Sequence, residues 1–184
     1  QLRPVEVHDL LPREVVPLET SNIRALIEGR TVIVTGAGGS IGGELCRQIE
    51  SCSPGKLIIL DQSEGLLFQT QRQMALEGSG TSIVPVICDV LDEQRVAWVF
   101  RQFRPHLVFH AAAHKHVFLM ENQPGEALKN NTIATARLAR AALEHNTERF
   151  IFISTDKAVN PTSVMGASKR LAEIYVQSLA AANP

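Results

Sequence analysis

The chain has 184 residues, 45% of them apolar and 20% charged, with a formal net charge of −1. This balance supports a buried core in a soluble chain. With one Trp, one Tyr and no basic stripe, it excludes a nucleic-acid-binding platform. In chain order, residues 1–28 read as a connector. "VHDLLPREVVPL" holds a short helical turn broken by Pro12 and Pro17, and Asn22 caps a turn that runs through Ile27 and ends at Gly29. Five short β-rich runs follow: "TVIVTG", "KLIILD", "SIVPVICD", "HLVFHAA" and "RFIFIST". Each is a nearly continuous apolar run, the pattern of a parallel strand covered on both faces. Helices are expected between them at Ile41–Cys52, Gly65–Leu76, Asp92–Phe103, Pro124–His145 and Val164–Ala181.

Strand–helix alternation with short loops predicts an α/β fold, a doubly wound parallel (Rossmann) sheet with helices on both faces, over residues 29–184. Five strands is one short of the usual six. The chain also opens with Gln and closes on "AAANP". It is therefore expected to be a C-terminally truncated fragment. No apolar run reaches the roughly 18 residues of a membrane helix and no leader pattern opens the chain, so this fragment is expected to make no membrane contact. Cys46, Cys52 and Cys88 lack CxxC spacing, which fits a reducing compartment and small buried hydrophobes rather than disulfides.

"TVIVTGAGGSIGGELCRQI" places Gly36, Gly39 and Gly42 in a GxxGxxG loop after a strand and before a helix. Such glycines let the backbone approach a pyrophosphate, and the helix start at Ser40 and Ile41 offers free N–H groups to it. Asp61 ends the second strand about twenty residues on, where an acid hydrogen-bonds the adenosine ribose. A carboxylate there repels a 2′-phosphate, so NAD is expected rather than NADP. Asp89 and Val90 end the third strand. They either meet the adenine, or Asp89 caps the next turn. Ala111, Ala112 and Ala113 close the fourth strand and leave room for a flat cofactor. His114 and His116 find no third ligand at convincing spacing, so no metal is expected.

Three strings carry a resemblance: TGAGGSIG at Thr35–Gly42, HAAAHKH at His110–His116, and STDKAVNPTSVMGASK at Ser154–Lys169. Together they resemble extended short-chain dehydrogenases/reductases, and more narrowly the nucleotide-sugar 4,6-dehydratases of capsular polysaccharide biosynthesis. Met165 stands where most of the superfamily carries a catalytic Tyr, and this exchange resembles the family's large membrane-anchored branch. His114 and Phe118 depart from the family's usual Tyr and Pro.

The resemblance implies dehydration of a UDP-N-acetylhexosamine, such as UDP-GlcNAc, by a tightly bound NAD. Hydride leaves sugar C4, a proton leaves C5, water leaves C6, and the hydride returns to C6. A thioether moves no proton, so the resemblance implies that Asp156 exchanges protons with the C4 and C6 hydroxyls. Lys157 takes the C5 proton, Thr155 orients the sugar, Lys169 holds the nicotinamide ribose, and Met165 packs against the ligands. Lys115 and Asn131 are expected to face the substrate. A 4-epimerase, a 4-dehydrogenase and a non-catalytic NAD-binding module are the alternatives. The resemblance further implies a homo-oligomer and a cytoplasmic domain of a protein anchored at a bacterial inner membrane.

Overall fold

The computed structural model describes residues 20–77 and 80–183. The turn expected within "VHDLLPREVVPL" lies outside the described residues. Five strands form one sheet: β1 (Thr31–Thr35), β2 (Lys56–Asp61), β3 (Ile83–Ile87), β4 (Leu107–His110) and β5 (Arg149–Phe152). Their order is β3-β2-β1-β4-β5 and every pairing is parallel. The helices are α1 (Thr20–Ile27), α2 (Ser40–Ser51), α3 (Glu64–Glu77), α4 (Glu93–Phe103), α5 (Val117–Asn122), α6 (Pro124–Ala127), α7 (Ala134–Glu144) and α8 (Val164–Ala182).

The apolar runs feed two layers, one on each face of the sheet. Ile33, Ile58 and Val108 pack with Val96, Val99 and Phe100 of α4 and Leu138 of α7. Val32, Val34, Leu57, Ile59 and Leu107 pack with Ile27, with Cys46 and Ile49 of α2, and with Leu67 and Met74 of α3. Side chains alternate across a strand, so β1 serves both layers and is an apolar run rather than an alternating one. Each large side chain so buried contributes roughly 1.5–3 kcal/mol. The edges are covered less. Val86 is the only buried residue of β3 and β5 has none, and Pro85 is tolerated because β3 is an edge strand.

The strand order places the site. From β1 the chain winds outward to β2 and β3, then crosses back to β4 on the other side. The chain leaves β1 toward α2 on one face and β4 toward α7 on the other, and a crevice opens at the carboxyl ends of these two strands.

Four local expectations are corrected. α1 begins two residues before Asn22, which lies inside the helix. β4 ends at His110, short of the two alanines in "HLVFHAA". α5 replaces an expected loop. It buries only Met120, and Glu121 accepts the Val164 N–H at the start of α8 at 2.8 Å, a long-range contact that the local sequence does not announce. Finally, the helix expected over Pro124–His145 is interrupted. Between α6 and α7 the rod widens into a π-helical stretch, Leu128–Ile133, of the kind that clusters at functional sites.

Candidate active site

A cleft of about 440 Å³ lies at the carboxyl ends of the strands. Its floor is the turn after β1. Gly36 has φ +68, and a Cβ there would sit 2.6 Å from Ala112 N, in the loop after β4. A Cβ on Gly42 would sit 2.0 Å from Gly36 O. Side chains are excluded at both points, so backbone lines the floor. α2 starts from Gly39 with no side chain capping its first amides, and Ser40, Ile41 and Gly42 line the cleft. Free amides at the positive end of a twelve-residue helix suit a pyrophosphate.

Two carboxylates stand on one side. Asp61 Oδ2 accepts the Gly38 N–H and Oδ1 accepts the Ser63 N–H, both at 2.9 Å. The acid is thus tied to the phosphate loop at a fixed reach. Asp89 Oδ1 accepts the Leu91 N–H at 2.9 Å, so it caps its own turn while it and Val90 line the cleft. Of the two roles considered for Asp89 from the sequence, the turn cap is formed.

Cations stand on the other side. Lys115, Lys157 and Lys169 line the cleft, as do Thr155 and Met165 and the alanines Ala111, Ala112 and Ala113. Thr155 Oγ1 accepts the Lys157 N–H and donates to Asp156 Oδ1, which pins a short 3₁₀ turn, Asp156–Ala158. The two neighbours of this turn diverge. Lys157 reaches the cleft, whereas Asp156 is absent from its lining, with a side chain 87% exposed and 3.4 Å from Lys157 Nζ. The hydrogen bonds from Thr155 and Lys157 hold the Asp156 carboxyl below its ordinary pKa. Asp156 therefore stands at the mouth rather than inside. Met165 is buried against Met120 and Ala127 and lines the cleft.

Asn131 is also displaced from expectation. It is fully buried and does not line the cleft, whereas its neighbour Asn130 does. The Asn131 amide holds the loop carrying Lys115. Oδ1 accepts the His114 N–H at 2.8 Å, and Nδ2 donates to His114 O and to Ser168 Oγ, each at 3.0 Å. The π-helical turn gives two adjacent residues these different directions. A mid-helix Asn pair carries no sign of such a turn in sequence, so Asn130 was not foreseen.

Below the cleft His110 is wholly buried. Thr135 Oγ1 donates to Asn131 O at 2.7 Å, so it accepts from His110 Nε2–H at 2.9 Å. Nδ1 is left to accept from Thr35 Oγ1 at 2.7 Å; this tautomer follows from the network. Burial, aided by the Lys169 charge, pulls the His110 pKa down to about 3 from 6.5. Between these values the unfolded chain binds the proton that the folded chain refuses. Stability is therefore intact above about pH 6.5 and falls as pH drops toward 3, by up to about 1.4 kcal/mol per unit. Urea unfolding between pH 7 and 4.5 should show a shallower decline for His110→Gln than for the natural chain.

Fold and site define a Rossmann-like α/β protein with one cleft at the carboxyl ends of its strands, carboxylates at one side and lysines at the other. A family model described as "Polysaccharide biosynthesis protein" matches residues 32–184, and the chain belongs to that family. It is 46% identical over 179 residues to the capsular polysaccharide biosynthesis protein CapD of Staphylococcus aureus, covering 97% of this chain and 30% of that protein. It is 32% identical over 145 residues to a UDP-N-acetylglucosamine 4,6-dehydratase (inverting) of Campylobacter jejuni, covering 78% of this chain and 42% of the relative. Among solved structures it is similar to Pen from Bacillus thuringiensis, with a TM-score of 0.77 and 27% identity, covering 83% of this chain and 47% of that one. The chain thus spans less than half the length of these relatives. No described helix is long and apolar enough to cross a membrane, and no three His, Cys, Asp or Glu side chains among the described residues converge as a metal site.

Proposed function

We propose that this chain is the cofactor-binding part of a nucleotide-sugar 4,6-dehydratase that acts on a UDP-N-acetylhexosamine such as UDP-GlcNAc, using NAD. The observation that carries this reading is the separation of charge within one cleft. Carboxylates stand at the ends of β2 and β3, and lysines stand in the segments after β4 and β5. The acidic end suits ribose hydroxyls and disfavours a 2′-phosphate, which supports NAD over NADP. The cationic end suits an anionic sugar nucleotide and the oxyanion that forms when a sugar hydroxyl is oxidised. The relative named as a UDP-N-acetylglucosamine 4,6-dehydratase supports the same reaction class.

A bound dinucleotide would rest on the turn at Gly36, Gly39 and Gly42 with Asp61 at its ribose, and would supply a reversible hydride acceptor. The chain's residues do the rest. Lys157, within the cleft, takes the C5 proton. Asp156, ionised at the mouth beside it, exchanges protons with the C4 and C6 hydroxyls, and Thr155 orients the C4 hydroxyl. Lys115 meets the substrate from the loop that Asn131 braces, and Met165 closes the apolar wall. Met165 also favours one rival reading, a binding module without catalysis.

The test is to incubate the full-length protein with NAD and a panel of UDP-sugars. Loss of one water from a UDP-N-acetylhexosamine without lasting NADH is expected. Lasting NADH would instead mark a 4-dehydrogenase, a C4 epimer an epimerase, and no change in any sugar a binding module.

Gly166 provides a second check. A Cβ there would lie 2.2 Å from Lys157 O, so α8 carries the 3₁₀ turn at backbone contact. Gly166→Ala should push Lys157 out of line and lower turnover of the full-length protein by about a hundredfold. NADH binding, which rests on the turn after β1, should change by less than about threefold when read by fluorescence titration.

A further inference from the structure

Lys169 is a buried cation without an ordinary counter-ion. It is 4% exposed, and among the described residues no carboxylate forms an ion pair with it. Glu173, one turn along α8, is committed elsewhere. Its carboxylate accepts from Ser154 Oγ at 2.5 Å and from Arg170 at 2.8 Å. Instead, Lys169 Nζ donates to Ile153 O at 2.7 Å and lies 3.9 Å from the centroid of the Phe152 ring. Phe152 pairs with His110 across β4 and β5, and the two rings stack at 5.7 Å and 26°. Threonines hold His110 on both nitrogens. The ring beneath the ammonium is therefore fixed by a chain of contacts that reaches Thr35 of β1.

We propose that Phe152 is a positioning residue for Lys169: its π face holds the ammonium charged and aimed, with one N–H left for whatever occupies the cleft. An ammonium has three donors. Ile153 O takes one, the ring face stands in for the acceptor of a second, and the third is free on the cleft side. The interaction is worth most where water is excluded, which is the situation of this lysine. Burial pulls its pKa down to about 8, and the Glu173 charge opposes that fall. The other titratable and charged groups around it are His110 on β4, held neutral, and Lys115 and Lys157, which share the cleft. Asp156 turns to solvent. None of these neighbours supplies the negative charge that would otherwise keep Lys169 protonated. That the free N–H meets the nicotinamide ribose rests on the function proposed above; the role of Phe152 does not.

The test reads Lys169 directly. The 184-residue chain is labelled with ¹³C at lysine Cε and titrated by NMR, with Lys169→Gln identifying the resonance. Phe152→Leu and Phe152→Met keep an apolar side chain but remove the π face, and each should lower the Lys169 midpoint by about one pH unit. Phe152→Trp keeps a face and should leave the midpoint at or above that of the natural chain. Two apolar variants guard against one failing to fold. An unchanged midpoint in the apolar variants would overturn the proposal. So would a fall in Phe152→Trp as large as theirs, since packing alone would then explain it. No ligand enters this titration. A full-length protein that dehydrates no sugar would therefore sink the proposed function without touching this result, and the reverse also holds.

Discussion

In the full-length protein, Lys157→Ala is expected to lower turnover by about two to four orders of magnitude, the usual loss when a positioned proton-transfer group is removed. Dinucleotide affinity should stay within about threefold of the natural protein. The expectation follows from the divergence of two neighbouring residues. Lys157 lines the cleft, and Asp156 turns to solvent. The lysine is already in place, and its turn is held by Thr155 and by backbone contact with Gly166. Asp156→Asn is the informative partner. It removes the charge but keeps an oxygen to accept from Thr155, so its loss relative to Lys157→Ala reports how far the carboxylate leaves its outward position when sugar binds. Steady-state rates with saturating UDP-sugar, beside NADH titrations, measure both. Full turnover in both variants would refute the roles assigned to this turn.

The second large effect belongs to the floor of the cleft. Gly42→Ala is expected to weaken NADH binding by the 184-residue chain at least about a hundredfold and to cost about 1–3 kcal/mol of stability. Its new methyl would meet Gly36 O at 2.0 Å and Gly36 C at 2.6 Å. Both are backbone atoms in the turn that approaches the loop after β4, so relief means opening the cradle itself. Gly43→Ala, one residue on, is the matched control. Its Cβ meets Ala37 O at 3.5 Å, an ordinary contact, and it does not line the cleft. Calorimetric titration and thermal unfolding of the two variants separate the cradle from a general dislike of alanine in α2. Equal binding by both would mean that the pyrophosphate does not sit on this turn.

Much of this arrangement could be read along the chain. The run Thr31–Thr35 followed by glycines and a helix start is a short-range signal, because the residues that make the turn are the residues that form it. Apolar runs of strand length, separated by helical stripes, announced the parallel sheet for the same reason. The string from Ser154 to Lys169 announced Lys157 and Lys169, which line the cleft. Placement was less legible. Asp156 and Lys157 are both expected at the ligand, in different roles, and a 3₁₀ turn sends only Lys157 into the cleft. Asn131 is likewise expected at the ligand, yet it is Asn130 that lines the cleft, inside a π-helical stretch that no local pattern marks.

The chain's own pattern thus specified a glycine turn opening a helix, its acidic neighbours and an inventory of lysines, because turn chemistry and hydrophobic period act over a few residues. Which side chains line the cleft was settled by contacts between distant segments: Thr35 with His110, 75 residues apart, and Asn131 with Ser168, 37 apart. The ring under Lys169 depends on the register of β4 against β5. A side chain's direction is set by the partners that pack around it, and those partners meet only once the sheet has closed.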